Sequence, residues 1–394
     1  MTDSIIHLRS SCAICNSVEI EKALSLNSSP IAGAYISIDK INILEPSYPL
    51  DLYLCKDCGC LQLLNIISRE ELHGNFKYLS SSTIGLITHF NKYADDIYRY
   101  ITPSIDSLVI GFGSNDGSIL RFFKEKGLKV LGIEADSEVV RKSTKFGIDT
   151  IESPFNLKIA QMIKEKFGQA LIIIGGSAHM VVANTVDFKS MIKSVRHILA
   201  KEGIFVFEVN YLPDIIINKS FDAIYHDHIY YFSVRSIKNA FQKNGMQLID
   251  AMKQKLKGGC LRCIVQHEGG KRAESPSIKQ LIEIEDELDL SNIITYKTFA
   301  EHLKYLKKQL VELIHQIIDE GLTVVGYGAS HNVTTLIYHF QIGQFLKYLL
   351  DDNKEKHNLY SPGYHLKVMP TDIIYDLKPN YIIILAWQYA DIII

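Results

Sequence analysis

"SLVIGFGSNDGSILRFFKEKG", residues Ser107 to Gly127, decides the fold. A short apolar run, a turn spaced by glycines and an amphipathic segment predict a strand, a loop and a helix in succession. The loop carries Gly111, Gly113 and Gly117 as G-x-G-x-x-x-G, one residue longer than the dinucleotide fingerprint. Directly after it, "KVLGIEAD" reads as a second strand that ends in acid at Glu134, followed by strand signals in "ALIIIGGS" and "GIFVFEVN" with "DFKSMIKSVRHILAKEG" as an intervening helix. Strands alternating with helices predict a parallel, doubly wound α/β sheet.

A second nucleotide-fold signature appears downstream in "LTVVGYGASHNVTTLIYHF". Between the two lies a charged stretch, near residues 278 to 319, expected to form one long solvated helix. Upstream, "CAIC" and "CKDC" are two C-x2-C pairs, Cys12 with Cys15 and Cys55 with Cys58. Two thiolates from each knuckle complete a tetrahedral shell, so the expected ion is a structural zinc with no open position for substrate. A redox dithiol is disfavoured because no thioredoxin-like βαβ pattern surrounds either motif. Cys60 reads as a buried thiol. Cys260 and Cys263 sit in a strand-like segment, where residues three apart face opposite ways, and read as packing. The expected organisation is a zinc-binding module over 1–75, a central Rossmann-like α/β domain over 76–250 and a C-terminal Rossmann-like α/β domain over 251–394.

The chain has 394 residues, enough for two or three domains. Its 42 Lys plus Arg against 44 Asp plus Glu provide no basic field for polynucleotides. No apolar run approaches the roughly 20 residues of a membrane span, and the N-terminus lacks a signal-peptide pattern. The expectation is a cytoplasmic chain, compatible with a monomer.

The first glycine loop points its backbone amides and a helix N-terminus at a ligand, and Glu134 is placed for ribose hydroxyls. Asp116 within the loop is awkward beside a pyrophosphate and suits a ligand bearing positive charge. S-adenosylmethionine has a sulfonium and an ammonium, and is favoured over a nicotinamide cofactor, the alternative being an NAD-dependent nucleotide-sugar oxidoreductase or epimerase. "FDAIYHDHIYYFS", residues Phe221 to Ser233, then offers Tyr225, His226, Asp227 and His228 in a row. Histidine titrates near neutrality, so this run is the candidate for proton transfer.

With "CAIC", "SYPLDLYLCKDCGCLQL", "KYLSSST", "GSNDG", "FDAIYHDHIYYFS", "KGGCLR", "VVGYGAS" and "YSPGYHLKV" in this order, the chain resembles the S-adenosylmethionine-dependent sugar C-methyltransferases, which methylate C3 of nucleotide-linked 4-keto-6-deoxy sugars. The resemblance runs from Cys12 to about Trp387. It implies zinc on Cys12, Cys15, Cys55 and Cys58, and cofactor contacts from Gly111, Gly113, Asn115, Asp116, Gly117 and Glu134. It further implies His228 as the base on C3, supported by Tyr225, Asp227, Tyr78 and His179. Substrate contacts are implied at Arg262, Gly328, Tyr360 and Tyr364, holding a dTDP- or GDP-linked keto-sugar. This chain has Asp227 where the family pattern has glutamate, and Asn332 near a position that commonly carries lysine.

Overall fold

The computed structural model describes residues 6–72, 79–82, 85–176, 181–255 and 258–394. At its centre is a seven-stranded sheet: β1 (Leu108–Phe112), β2 (Lys129–Glu134), β3 (Thr150–Glu152), β4 (Ala170–Gly175), β5 (Leu199–Asn210), β6 (Met246–Gln254) and β7 (Cys260–His267). The order across the sheet is β3-β2-β1-β4-β5-β7-β6. The first five strands in that row pair in parallel, and β7 is antiparallel to both of its neighbours.

Residues such as Ile172, Ile173 and Ile174 are buried on both faces of β4, which is why its sequence runs apolar without alternation. One face is covered by the helix Leu86–Ile101, whose buried Leu86, Phe90, Tyr93, Ala94 and Ile97 recur at helical spacing. On the other face the rings of Phe205, Phe207 and Phe241 lie within 6.0 Å of one another. Strand order reverses between β1 and β4, so the crevice at their carboxyl ends is where an open α/β sheet receives a ligand.

The expected boundary at 250/251 lies within β6, and β7 inserts between β5 and β6. One expectation changes here. The charged stretch forms two helices, Pro276–Glu287 and Ile293–Asp319. Asp289 breaks it with φ of 50°, and Asn292 caps the second helix by accepting from the Ile294 amide. Cys260 and Cys263 are buried in β7, as a packing role requires.

The N-terminal module is a four-stranded antiparallel sheet in the order Tyr230–Tyr231, Leu61–Leu63, Tyr48–Cys55, Ile20–Ser29. Its outermost strand comes from the Phe221–Ser233 stretch. In the C-terminal domain four parallel strands stand in the order Val368–Met369, Leu349–Leu350, Val324–Tyr327, Tyr381–Ile384. The helix His331–Phe340 follows the second glycine loop and packs against the segment at Phe221–Ala223. Among the described residues no helix is long and apolar enough to cross a membrane.

Candidate active site and zinc knuckle

The cysteine knuckles meet as their spacing predicts. The four sulfurs of Cys12, Cys15, Cys55 and Cys58 lie within 4.8 Å of one another, with Cys12 to Cys58 at 3.6 Å and Cys15 to Cys55 at 3.5 Å. A tetrahedral ion about 2.3 Å from each sulfur would separate them by about 3.8 Å, so the set fits zinc. The Cys58 thiol, followed by Gln62, holds Cys12 down at about 5. Gln62 is buried, donates to Cys12 Sγ at 3.0 Å and accepts from the Ala13 amide at 3.0 Å. Its backbone meanwhile pairs with Tyr230. The knuckle is therefore tied, through one residue, to the strand that ends the histidine-rich stretch. Cys60 stays outside the cluster, buried, with its thiol directed to the Leu61 carbonyl.

On the central sheet, the loop after β1 has Gly113 at φ 58° and Gly117 at φ 77°, conformations that a side chain resists. Gly111 packs β1 against the following helix, since a Cβ there would come within 3.2 Å of Leu120. Glu134, at the tip of β2, accepts from the amides of Asn115 at 3.1 Å, Ala135 at 2.7 Å and Asp136 at 3.1 Å. The Asn115 side chain accepts from the Ser80 amide at 2.8 Å. Asp116 differs from the role its charge suggested. It is 1% exposed; Oδ1 accepts from the Ser118 amide and hydroxyl, and Oδ2 from the Ser81 amide at 2.9 Å. Both oxygens accept from protein donors, so Asp116 organises the loop. A glycine-lined turn and an acid at the tips of adjacent strands beside the switch point form a cradle that fits S-adenosylmethionine.

His228 is 3% exposed. Its Nδ1 lies 3.2 Å from the Ala223 carbonyl and 3.4 Å from the Asn210 amide nitrogen at the end of β5. A carbonyl oxygen only accepts, and its contact is the shorter of the two at Nδ1, so it favours the proton on Nδ1 over the competing Asn210 Nδ2 donor; in that tautomer the Nε2 lone pair faces the Tyr225 hydroxyl, 3.0 Å away. The two rings stack at 4.2 Å. Asp227 was expected to orient the base; the Ala223 carbonyl holds that position, and burial raises the Asp227 carboxyl to about 7. His226 points elsewhere, with Nε2 3.2 Å from the Tyr48 carbonyl. Tyr78 and His179 lie outside the described residues.

Burial holds His226 down at about 4, so its folded value is depressed below that of the unfolded chain. The stability it contributes is complete above pH 6.5 and lost as pH falls through 4, a difference of about 3 kcal/mol. His226→Phe is expected to flatten the melting temperature between pH 6.5 and 4, read by calorimetry. An unchanged acid limb would show that His226 ionises without penalty.

Four residues implied as substrate contacts are placed by packing. Arg262 is 0% exposed on β7 opposite Glu208. Its guanidinium donates to Glu208 at 2.8 Å and Asp96 at 3.0 Å, and lies 4.1 Å from the Tyr93 ring. It is committed to the protein's own carboxylates, since a buried cation left unpaired would cost several kcal/mol. His89 shares Glu208 at 2.8 Å. Gly328 has φ 117°, and a Cβ there would come within 2.8 Å of Ala386. Tyr360 exchanges backbone hydrogen bonds with Ile36 of the N-terminal module at 2.8 and 3.0 Å. The Tyr364 ring lies 4.8 Å from the Tyr338 ring, tilted by 54°.

Sequence reasoning missed Asn210, Gln62, Asp222 and His331. The His331 ring reaches within 5.5 Å of the Tyr225 ring from the C-terminal domain. Its only signal was its place directly after the second glycine loop.

The sheet order, the glycine cradle and the four-cysteine knuckle define a class I methyltransferase carrying a structural zinc module. Family profiles match throughout: a zinc-binding domain over residues 12–73, a methyltransferase domain over 89–251 and a C-methyltransferase C-terminal domain over 255–394. The C-methyltransferase NovU of Streptomyces niveus is 26% identical over 384 residues, 97% of this chain and 91% of that protein. Among solved structures, the plantazolicin methyltransferase BpumL with SAH aligns over 47% of this chain and 86% of its own at 9% identity and TM-score 0.37. Magnesium protoporphyrin IX methyltransferase of Synechocystis PCC 6803 aligns over 46% and 86% at 12% identity and TM-score 0.37. The chain belongs to the family of S-adenosylmethionine-dependent C-methyltransferases with an N-terminal zinc-binding domain. Its cofactors are S-adenosylmethionine and zinc, and the nicotinamide alternative falls away.

Proposed function

We propose that the chain methylates C3 of a dTDP- or GDP-linked 4-keto-6-deoxy sugar, with His228 as the base. The observation that carries this reading is the setting of the His228 ring: Nδ1 faces the Ala223 carbonyl, which can only accept, at 3.2 Å, and Nε2 faces the Tyr225 hydroxyl at 3.0 Å, so that with the proton on Nδ1 the Nε2 lone pair is the basic one.

Carbon accepts a methyl group when it is nucleophilic, and a ketone at C4 acidifies the proton on C3. His228 Nε2 takes that proton. As it does, the Tyr225 hydroxyl leaves Nε2 and donates to the C4 oxygen, where the charge collects. Asp227, assigned a supporting role by the resemblance, has its carboxyl raised by burial to about 7. Tyr78 and His179 are assigned as further donors at the oxyanion by the resemblance. Gly111, Gly113, Asn115, Gly117 and Glu134 would hold S-adenosylmethionine, which when bound would supply an electrophilic methyl. Asp116 keeps that loop in shape. The C-terminal domain, through the loop at Gly328 and the segment Tyr360 to Tyr364, would hold the nucleotide. Arg262 would act through Glu208.

The test is mass spectrometry after incubation with S-adenosylmethionine and each of the dTDP- and GDP-linked 4-keto-6-deoxyhexoses in deuterated water. A product one methyl heavier, with deuterium at C3 of unreacted sugar, is the expected result and identifies the nucleotide. No mass change and no wash-in with either sugar would remove this substrate class.

A further inference from the structure

The segment Phe221–Ala223 is one turn of 3-10 helix with a carboxylate at its centre. Asp222 is 1% exposed. Its Oδ2 accepts three hydrogen bonds, from Asn332 Nδ2 at 3.3 Å, Trp387 Nε1 at 3.1 Å and Gln388 Nε2 at 3.1 Å. All three donors belong to the C-terminal domain. Asn332 is in the first turn of the helix His331–Phe340, and Trp387 and Gln388 follow the strand Tyr381–Ile384. Oδ1 is buried without a hydrogen-bond partner. Burying a carboxylate with one oxygen unpartnered is costly, so the arrangement calls for a compensating use.

That use lies one residue along the chain. Ala223 supplies the carbonyl that holds Nδ1 of His228. A second contact reinforces the same turn: Thr335 Oγ1, on the same C-terminal helix, donates to the Ile224 carbonyl at 2.8 Å. The turn that carries the Ala223 carbonyl is therefore held from the C-terminal domain.

Resting on the reading of His228 as the base, we infer that Asp222 is a positioning residue: docking of the C-terminal domain on its carboxylate sets the Ala223 carbonyl and, through it, the tautomer and aim of His228. Asn332, Trp387 and Gln388 are the donors that carry the docking. The C-terminal domain thereby serves proton abstraction as well as binding.

Deuterium wash-in at C3, measured with SAH bound and with whichever dTDP- or GDP-linked 4-keto-6-deoxyhexose the wild type exchanges, isolates the base from methyl transfer. Asp222→Ala is expected to slow wash-in and kcat together by about 100-fold, the scale of a misplaced catalytic group. KM for the sugar nucleotide and the affinity for SAH should stay within a few-fold. Asp222→Asn keeps an acceptor for the three donors and should recover most of the loss. Should Asp222→Ala fail to fold, Trp387→Phe, which removes one donor on the partner side, should slow wash-in several-fold with KM unchanged. A raised KM with unaltered wash-in would make Asp222 a docking residue alone and overturn the inference. Wash-in abolished by His228→Asn but indifferent to both Asp222 variants would overturn it while leaving the base in place. Wash-in that survives His228→Asn, or is absent from the wild type, would remove the base reading and this inference with it.

Discussion

Replacing His228 with asparagine is expected to lower methyl transfer by about 1,000-fold, within the range a positioned general base contributes, while SAH binds as before. Asparagine keeps an N–H that can face the Ala223 carbonyl and so preserves the loop, but it has no basic lone pair to receive a proton. The His228 ring meets Tyr225, Ala223 and Asn210, whereas the cofactor cradle is built from Gly111 to Gly117 and Glu134, so cofactor affinity should change by less than about threefold, a difference under 1 kcal/mol. Turnover and isothermal titration with SAH read the two quantities separately. Near-wild-type turnover would place the base elsewhere. Tyr225→Phe offers a graded comparison: Nε2 keeps its lone pair, the oxyanion loses one donor, and a loss of about 100-fold is expected.

The second large effect concerns zinc. Cys58→Ser, or exhaustive chelation, should abolish methyl transfer even though the ion takes no part in the chemistry. Structural zinc contributes about 10 kcal/mol or more to the folding of small modules, and here the module does not end at its own boundary. Gln62 bonds Cys12 through its side chain and Tyr230 through its backbone, and the Leu63 amide donates to the Ile229 carbonyl at 2.8 Å. Removing the ion should release Tyr230 and Tyr231 from the sheet and, two residues upstream, loosen His228. Hydrogen exchange should show Leu61 to Leu63 and Ile229 to Tyr231 losing protection together, with the amides of β1 and β4 unaffected. Zinc-free protein that keeps full activity would disconnect the knuckle from the catalytic loop.

These two effects differ in how far ahead they were visible. The cysteines announce themselves because metal binding from two knuckles is a matter of local spacing, and "CAIC" and "CKDC" each present two thiolates whatever the rest of the chain does. The glycine loop and Glu134 were legible for a similar reason, since a strand, a turn and a helix form from contiguous residues. His228 stood out by residue type, within a stretch too rich in titratable groups to be idle.

Partnership was not legible. The sequence placed Asp227 beside the base as its orienter, whereas the chain folds back so that the Ala223 carbonyl takes Nδ1. It offered Arg262 to the substrate, and pairing of β7 with β5 set it against Glu208. Asp116 looked like a ligand for positive charge until the Ser80–Ser82 turn arrived to use its second oxygen.

What the sequence by itself determined is therefore the inventory: two cysteine knuckles, two nucleotide-fold units, a glycine loop between strand and helix and a run of titratable side chains. Each depends on periodicity or spacing over a few residues. What only the tertiary structure decided is which donor meets which acceptor. A hydrogen bond needs its atoms within about 3 Å, and residues 110 to 178 positions apart, such as Asp222 with Asn332 or His226 with Tyr48, reach that distance only after all three parts of the chain have packed together.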